Sequence, residues 1–140
     1  MDITRIFVYG TLLKGMGNHD RFCGDALTIE SAVTTGRLYH LPYGFPAMFD
    51  SPDGQVFGEV MTFSDIESKK ERLDYLEGYR PDGHSHYLRI QKKVTVLATQ
   101  RKVPAWAYVY PVEKLDEIMR IGTLIISGDW RNRDKVCKVV

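Results

Sequence analysis

Two groups of residues in this chain have the types and spacing to do chemistry together. The first is Tyr9-Gly10-Thr11-Leu12, where an apolar run breaks into a loop punctuated by Gly10, Gly15 and Gly17. Glycines let backbone N–H groups face outward, and a row of such groups binds a carboxylate or a phosphate. The second is Glu77, followed at once by Gly78. A carboxylate on the last residue of a helix faces the negative end of the helix dipole, which costs about 0.3–1 kcal/mol if exposed. The same placement raises the carboxyl pKa, and partial burial raises it further, making a better base near neutral pH. Each group also has a plain structural reading. The glycines can simply shape a turn, and Glu77 can be an ordinary surface glutamate.

Spacing removes the nucleotide readings of the loop. Gly10 and Gly15 stand as in a P-loop, but Met16 and Gly17 occupy the positions of its Lys and hydroxyl residue. A dinucleotide fingerprint needs a third glycine where Asp20 stands, and no long helix pattern follows. His84-x-His86 has strand spacing for a metal pair, yet it lies among Pro81, Gly83 and Ser85 with no third ligand evident, so no metal or other cofactor is expected. Cys23 has no His or basic partner in a recognisable motif and is not expected to act as a nucleophile.

The elements that must position these residues are mostly strands. Ile6-Phe7-Val8-Tyr9 is β-branched and aromatic, and Ala26 to Leu41 reads as extended with one glycine marking a bend or bulge. Turns are expected at Tyr43-Gly44-Phe45-Pro46 and Ser51-Pro52-Asp53-Gly54, with Gln55 to Phe63 resuming as a strand. Leu88, Ile90, Val94 and Val96 share one strand face, opposite Tyr87, Arg89, Gln91, Lys93 and Thr95. After a turn at Thr99 to Lys102, Ala105, Ala107 and Val109 alternate with Trp106, Tyr108 and Tyr110. So dense an aromatic stripe belongs to a core more often than to a ligand wall. One helix is clear: Ser64 and Glu67 form a capping-box pattern, Ile66, Leu73 and Leu76 an apolar stripe, and Gly78 a stop after Glu77.

Composition bounds the function. The 140 residues fit one domain, 1–140, which buries about 70% of its extended surface on folding. Lys and Arg number 19 against 18 Asp and Glu, and a net charge of +1 gives no field for nucleic acid or an anionic membrane. The basic segment from Arg131 to Lys138 reads as solvated surface. Two distant cysteines, Cys23 and Cys137, suit a reducing compartment, and no run is long enough for a membrane span or a signal peptide. A cytoplasmic protein is the expectation, with its oligomeric state open.

Taken in order, Val8-Tyr9-Gly10-Thr11-Leu12, Gly44-Phe45-Pro46-Ala47, Leu73-Asp74-Tyr75-Leu76-Glu77-Gly78-Tyr79, Tyr87-x-Arg89 and Ala107-Tyr108-Val109-Tyr110 resemble the γ-glutamylcyclotransferase-like (AIG2-like) superfamily. Ser127-Gly128-Asp129-Trp130-Arg131 is similar to the ends of its small bacterial members, so the likeness runs from about residue 5 to residue 131. The resemblance implies an α+β fold, a compact mixed β barrel with one main helix packed on it and a ligand cavity at the barrel mouth.

It also implies a reaction. In a γ-glutamyl amide the α-amine can attack the side-chain carbonyl, closing 5-oxoproline and expelling the attached amine without water or metal. Glu77 would be the general base, and Tyr9, Gly10, Thr11 and Leu12 would hold the α-carboxylate, with a side chain at position 10 keeping the ligand off the backbone. Tyr87 and Tyr108 would project into the cavity, where a phenol could bond the amine or the carbonyl. Phe45 and Pro46 would shape the rim, and Arg89 would pair with a carboxylate of the protein or of the ligand. The other class left open is a non-catalytic module binding a carboxylate or amino-acid-like ligand. The group attached to the γ-glutamyl moiety depends on loops around residues 40–50 and 78–86.

Overall fold

Arg5–Val8 forms the first strand, β1, and ends where the glycine loop begins. It pairs antiparallel with β5, Gln55–Thr62, and parallel with β7, Lys102–Val109; β2, Thr28–Thr35, and β6, Leu88–Val96, close a five-stranded mixed barrel in the order β1-β5-β2-β6-β7. This computed structural model describes residues 3–16, 18–77 and 87–132; the side chains of Arg21, Glu77 and Asn132 are outside that description. The expected elements at Gly78, Tyr79 and His84-x-His86 therefore lie outside the described residues.

Small side chains make so narrow a barrel possible, because inward positions must fill the space without overlapping. Register places Phe7 opposite Val60, Ala32 opposite both Gly58 and Val96, and Ile90 opposite Ala107. Ala32, Val56, Val94, Val96, Ala105 and Ala107 are wholly buried. The alternation expected on β7 holds, and the aromatic residues take its other face. Tyr108 is both of the things weighed for that stripe: it is buried, and it also walls a cavity.

The long extended run is broken at Gly36, between β2 and β3, Arg37–His40. Gly36 has φ of +154°, and a Cβ there would lie 2.9 Å from the Phe49 carbonyl, so the glycine lets the chain leave the barrel for a second sheet. That sheet is β4-β3-β8, with β4 Pro46–Phe49 and β8 Thr123–Leu124. It packs a smaller core of Tyr39, Leu41, Ala47 and Phe49 against Ile118 of a helix at Leu115–Ile121, which the sequence reading did not anticipate. A second unanticipated helix, α1, spans His19–Cys23; we number the others α2, Ile66–Glu77, and α3, Leu115–Ile121.

α2 is the main helix and is described as far as Glu77, with no basic residue in its last turn; the expected stop at Gly78 lies outside the described residues. Its start differs from the capping-box expectation. Asp65, not Ser64, caps it: the Asp65 carboxylate accepts the Ser68 N–H at 3.1 Å. An acid at that place also complements the positive end of the helix dipole. The apolar stripe of Ile66 and Leu73 is buried, but Lys69 sits within it, 4% exposed. Its ammonium survives burial by donating to the Phe22 carbonyl and to Asp25 at 2.6 Å, over the Phe63 ring. The Phe22 bond ties α2 to α1, and the ion pair with Asp25, just after α1, holds the Asp25 carboxyl below its ordinary pKa.

Cys23, at the end of α1, is fully buried, and burial pushes its thiol up to about 11. A thiol so placed is not a nucleophile near neutral pH. An alkylating reagent applied to the native protein is expected to leave Cys23 unmodified and to label it on denaturation, read by mass spectrometry. Native labelling of Cys23 would contradict the packing of α1.

Candidate active site

A cavity of about 280 Å³ opens at the C-terminal ends of β1 and β7. Tyr9, Gly10, Thr11 and Leu12 line one part of it, Phe45 and Pro46 another, and Tyr87 and Tyr108 a third, so all eight residues named from sequence as ligand contacts meet at one place. Phe7, Val8, Asn18 and Leu76 complete the wall. Leu76 brings the last turn of α2 to the cavity. Glu77 is the next residue, and its side chain is outside the described set.

The glycine loop is held by a tight set of bonds. Leu13 N–H donates to the Gly10 carbonyl at 3.0 Å, Asn18 N–H to the Thr11 carbonyl at 2.9 Å, and the Asn18 amide to the Thr11 hydroxyl at 3.0 Å. His19 is buried and its Nδ1 lies 3.0 Å from the Leu12 carbonyl; since a carbonyl only accepts, Nδ1 carries the proton. Glu59, on β5 opposite Val8, accepts the Lys14 N–H at 2.7 Å. These bonds leave the N–H groups of Gly10, Thr11 and Leu12 donating to no acceptor among the described residues. Gly10, Thr11 and Leu12 all line the cavity, where N–H groups of this kind can bind an anion.

Gly10 has a packing role as well as a place on the cavity wall. A Cβ at position 10 would lie 2.6 Å from Pro46 Cγ, so the glycine admits the proline ring of β4 and thereby joins the second sheet to the loop.

The three cavity tyrosines are bonded within the protein. Tyr9 hydroxyl donates to the Tyr108 carbonyl at 2.6 Å, Tyr87 hydroxyl to the Pro46 carbonyl at 3.0 Å, and Tyr108 hydroxyl to Asp74 at 2.5 Å. These bonds fix where the phenol oxygens stand on the cavity wall. Tyr87 also packs edge-on against Tyr110 at 4.5 Å between ring centres.

Arg89 pairs with a protein carboxylate. Its Nε and Nη2 donate to Asp74 at 2.9 and 3.3 Å, and the guanidinium stacks 4.8 Å from the Trp106 ring centre. Arg131 is likewise engaged rather than simply solvated: Nε donates to Asp129 at 3.1 Å, and Nη1 lies 3.9 Å from Glu59. Residues 133–138 of that basic segment lie outside the described residues. Sequence reasoning missed Asn18, Glu59 and Asp74. Only Asp74 carried a signal, its place three residues before Glu77 in the same motif.

Among the described residues no three His, Cys, Asp or Glu side chains are grouped to hold a metal, and no helix is long and apolar enough to cross a membrane.

A mixed five-stranded barrel with a donor loop and a helix end meeting at its mouth defines an α+β cyclotransferase-like fold. The chain belongs to the gamma-glutamyl cyclotransferase, AIG2-like family, whose model matches residues 6–132. The gamma-glutamylcyclotransferase family protein ytfP of Citrobacter rodentium is 33% identical over 136 residues, covering 94% of this chain and 98% of the relative. The crystal structure of YkqA from Bacillus subtilis superposes with a TM-score of 0.68 at 25% identity, over 98% of this chain and 43% of YkqA, so this chain spans under half of that protein. An aig2-like protein from Mus musculus shares the fold, with a TM-score of 0.60 at 24% identity over 82% of this chain and 84% of that one.

Proposed function

We propose that this single domain is a γ-glutamyl cyclotransferase, converting a γ-glutamyl peptide or amine to 5-oxoproline and the free amine. The observation that carries the reading is the meeting, at one cavity, of unbonded loop N–H groups, three tyrosines and the C-terminal turn of α2.

Each feature matches one demand of the reaction. The N–H groups of Gly10, Thr11 and Leu12 hold the α-carboxylate, and the cavity tyrosines receive N–H bonds from the α-ammonium. Glu77 takes a proton from that nitrogen, which attacks the γ-carbonyl to close the five-membered ring. The new C–N bond forms as an oxyanion develops, and collapse breaks the bond to the departing amine. The α-nitrogen loses two protons in all and the departing amine gains two, leaving as an ammonium ion; Glu77 carries protons between them. The Thr11 hydroxyl and the second amide hydrogen of Asn18 are side-chain donors in the described wall that can serve the oxyanion. Phe45 and Pro46 shape the rim on which the departing group lies.

Titration with 5-oxoproline tests the binding half of this reading. The amide resonances of Gly10, Thr11 and Leu12 are expected to shift most. Shifts confined to another face would contradict the carboxylate clamp. Binding of this kind, with no turnover of any γ-glutamyl compound, would instead favour a non-catalytic carboxylate-binding module.

A further inference from the structure

We propose that Asp74 is a positioning residue, which seats the C-terminal turn of α2 on the barrel and so places Glu77 at the cavity; this rests on the reading of Glu77 as the base. The last turn of a helix leaves carbonyls unbonded and frays unless something fastens it. In α2 no basic residue lies in that turn, Tyr75 is 91% exposed, and Leu76 is only partly buried. Asp74 supplies the fastening. Its carboxylate takes two bonds from Arg89 on β6 and one from the Tyr108 hydroxyl on β7, joining the helix to two adjacent strands.

The geometry separates this from an ordinary surface ion pair. Asp74 and Arg89 are only 21% and 17% exposed, and the guanidinium is fixed by both carboxylate oxygens and the Trp106 ring. Such a paired, planar contact restrains direction as well as distance. Positions 74 and 77 are three apart, neighbours along one helical turn. Tyr108 is common to the anchor and to the cavity wall. Rotation or fraying that broke the Asp74 contacts would carry position 77 away from the wall that Tyr108 forms. Displacement of a catalytic group by about 1 Å can cost about 10²-fold in rate.

The test compares wild type with Asp74→Asn, Asp74→Glu, Arg89→Gln and Glu77→Gln, using a panel of γ-glutamyl dipeptides and γ-glutamyl alkylamines with amide hydrogen exchange on each protein. Asp74→Asn is expected to lower kcat by about 10- to 100-fold with little change in KM, since the carboxylate clamp lies on a different element. Asp74→Glu is expected to recover much of the loss. Arg89→Gln should reproduce part of it, non-additively with Asp74→Asn. Exchange at residues 73–77 should rise in Asp74→Asn while the barrel strands stay protected. Unchanged turnover and unchanged exchange in Asp74→Asn would overturn the proposal, as would a rise in exchange throughout the barrel, which marks a merely structural role. Full activity in Glu77→Gln would instead overturn the assignment of the base, and the exchange measurement then still decides whether Asp74 seats the helix end.

Discussion

Glu77→Gln is expected to lower 5-oxoproline release by about 10³-fold, within the range of losses for a general base, while 5-oxoproline still binds. The amide is nearly isosteric with the carboxylate, so the helix end and the cavity remain. What it cannot do is take a proton from an ammonium. Without that step the α-nitrogen keeps its lone pair protonated and cannot attack. The loss should therefore appear in kcat more than in KM, since the groups proposed to hold the α-carboxylate are the N–H donors of residues 10–12 on another element. Steady-state kinetics beside product titration checks this, and unchanged turnover would place the base elsewhere.

Gly58→Ala is expected to be the most damaging small substitution in the barrel. Gly58 lies on β5, opposite Ala32, and a Cβ there would come within 2.0 Å of the Val8 carbonyl oxygen and 3.0 Å of Phe7. The first of these is backbone, in the strand that leads directly into the donor loop, and no rotamer change relieves it. Accommodation requires β1 to move away from β5, which breaks the pairing of Val8 with Glu59 and loosens the Glu59 bond to Lys14. A cost of about 3 kcal/mol or more follows for overpacking against fixed atoms. For a chain of this length that lowers Tm by roughly 10 °C. Thermal unfolding measures it, and a Tm within a degree or two of wild type would contradict the close packing of β1 on β5.

Periodicity made much of the architecture readable. β1, β5, β6, β7 and α2 follow from alternation or helical spacing in their own residues. The features that were not readable depend on contacts between distant segments. Lys69 occupies an apolar-stripe position only because Phe22 and Asp25 of another element receive its ammonium. Gly58 looks like any strand glycine until β1 lies against it, and the packing of Pro46 on Gly10 is likewise invisible until β4 meets the loop. α1 and α3 are too short, at five and seven residues, to impose a helical period. The eight residues of the cavity wall named above were legible through motif resemblance, whereas Asn18 and Glu59 act by bonding the loop from positions with no pattern of their own.

The direct test of cyclisation is turnover of γ-glutamyl dipeptides and γ-glutamyl amines in ¹⁸O-labelled water, with products followed by mass spectrometry. Intramolecular attack predicts unlabelled 5-oxoproline released in equal amount to the free amine. Labelled glutamate would show attack by water, and the absence of any product from every compound would contradict the cyclotransferase reading itself.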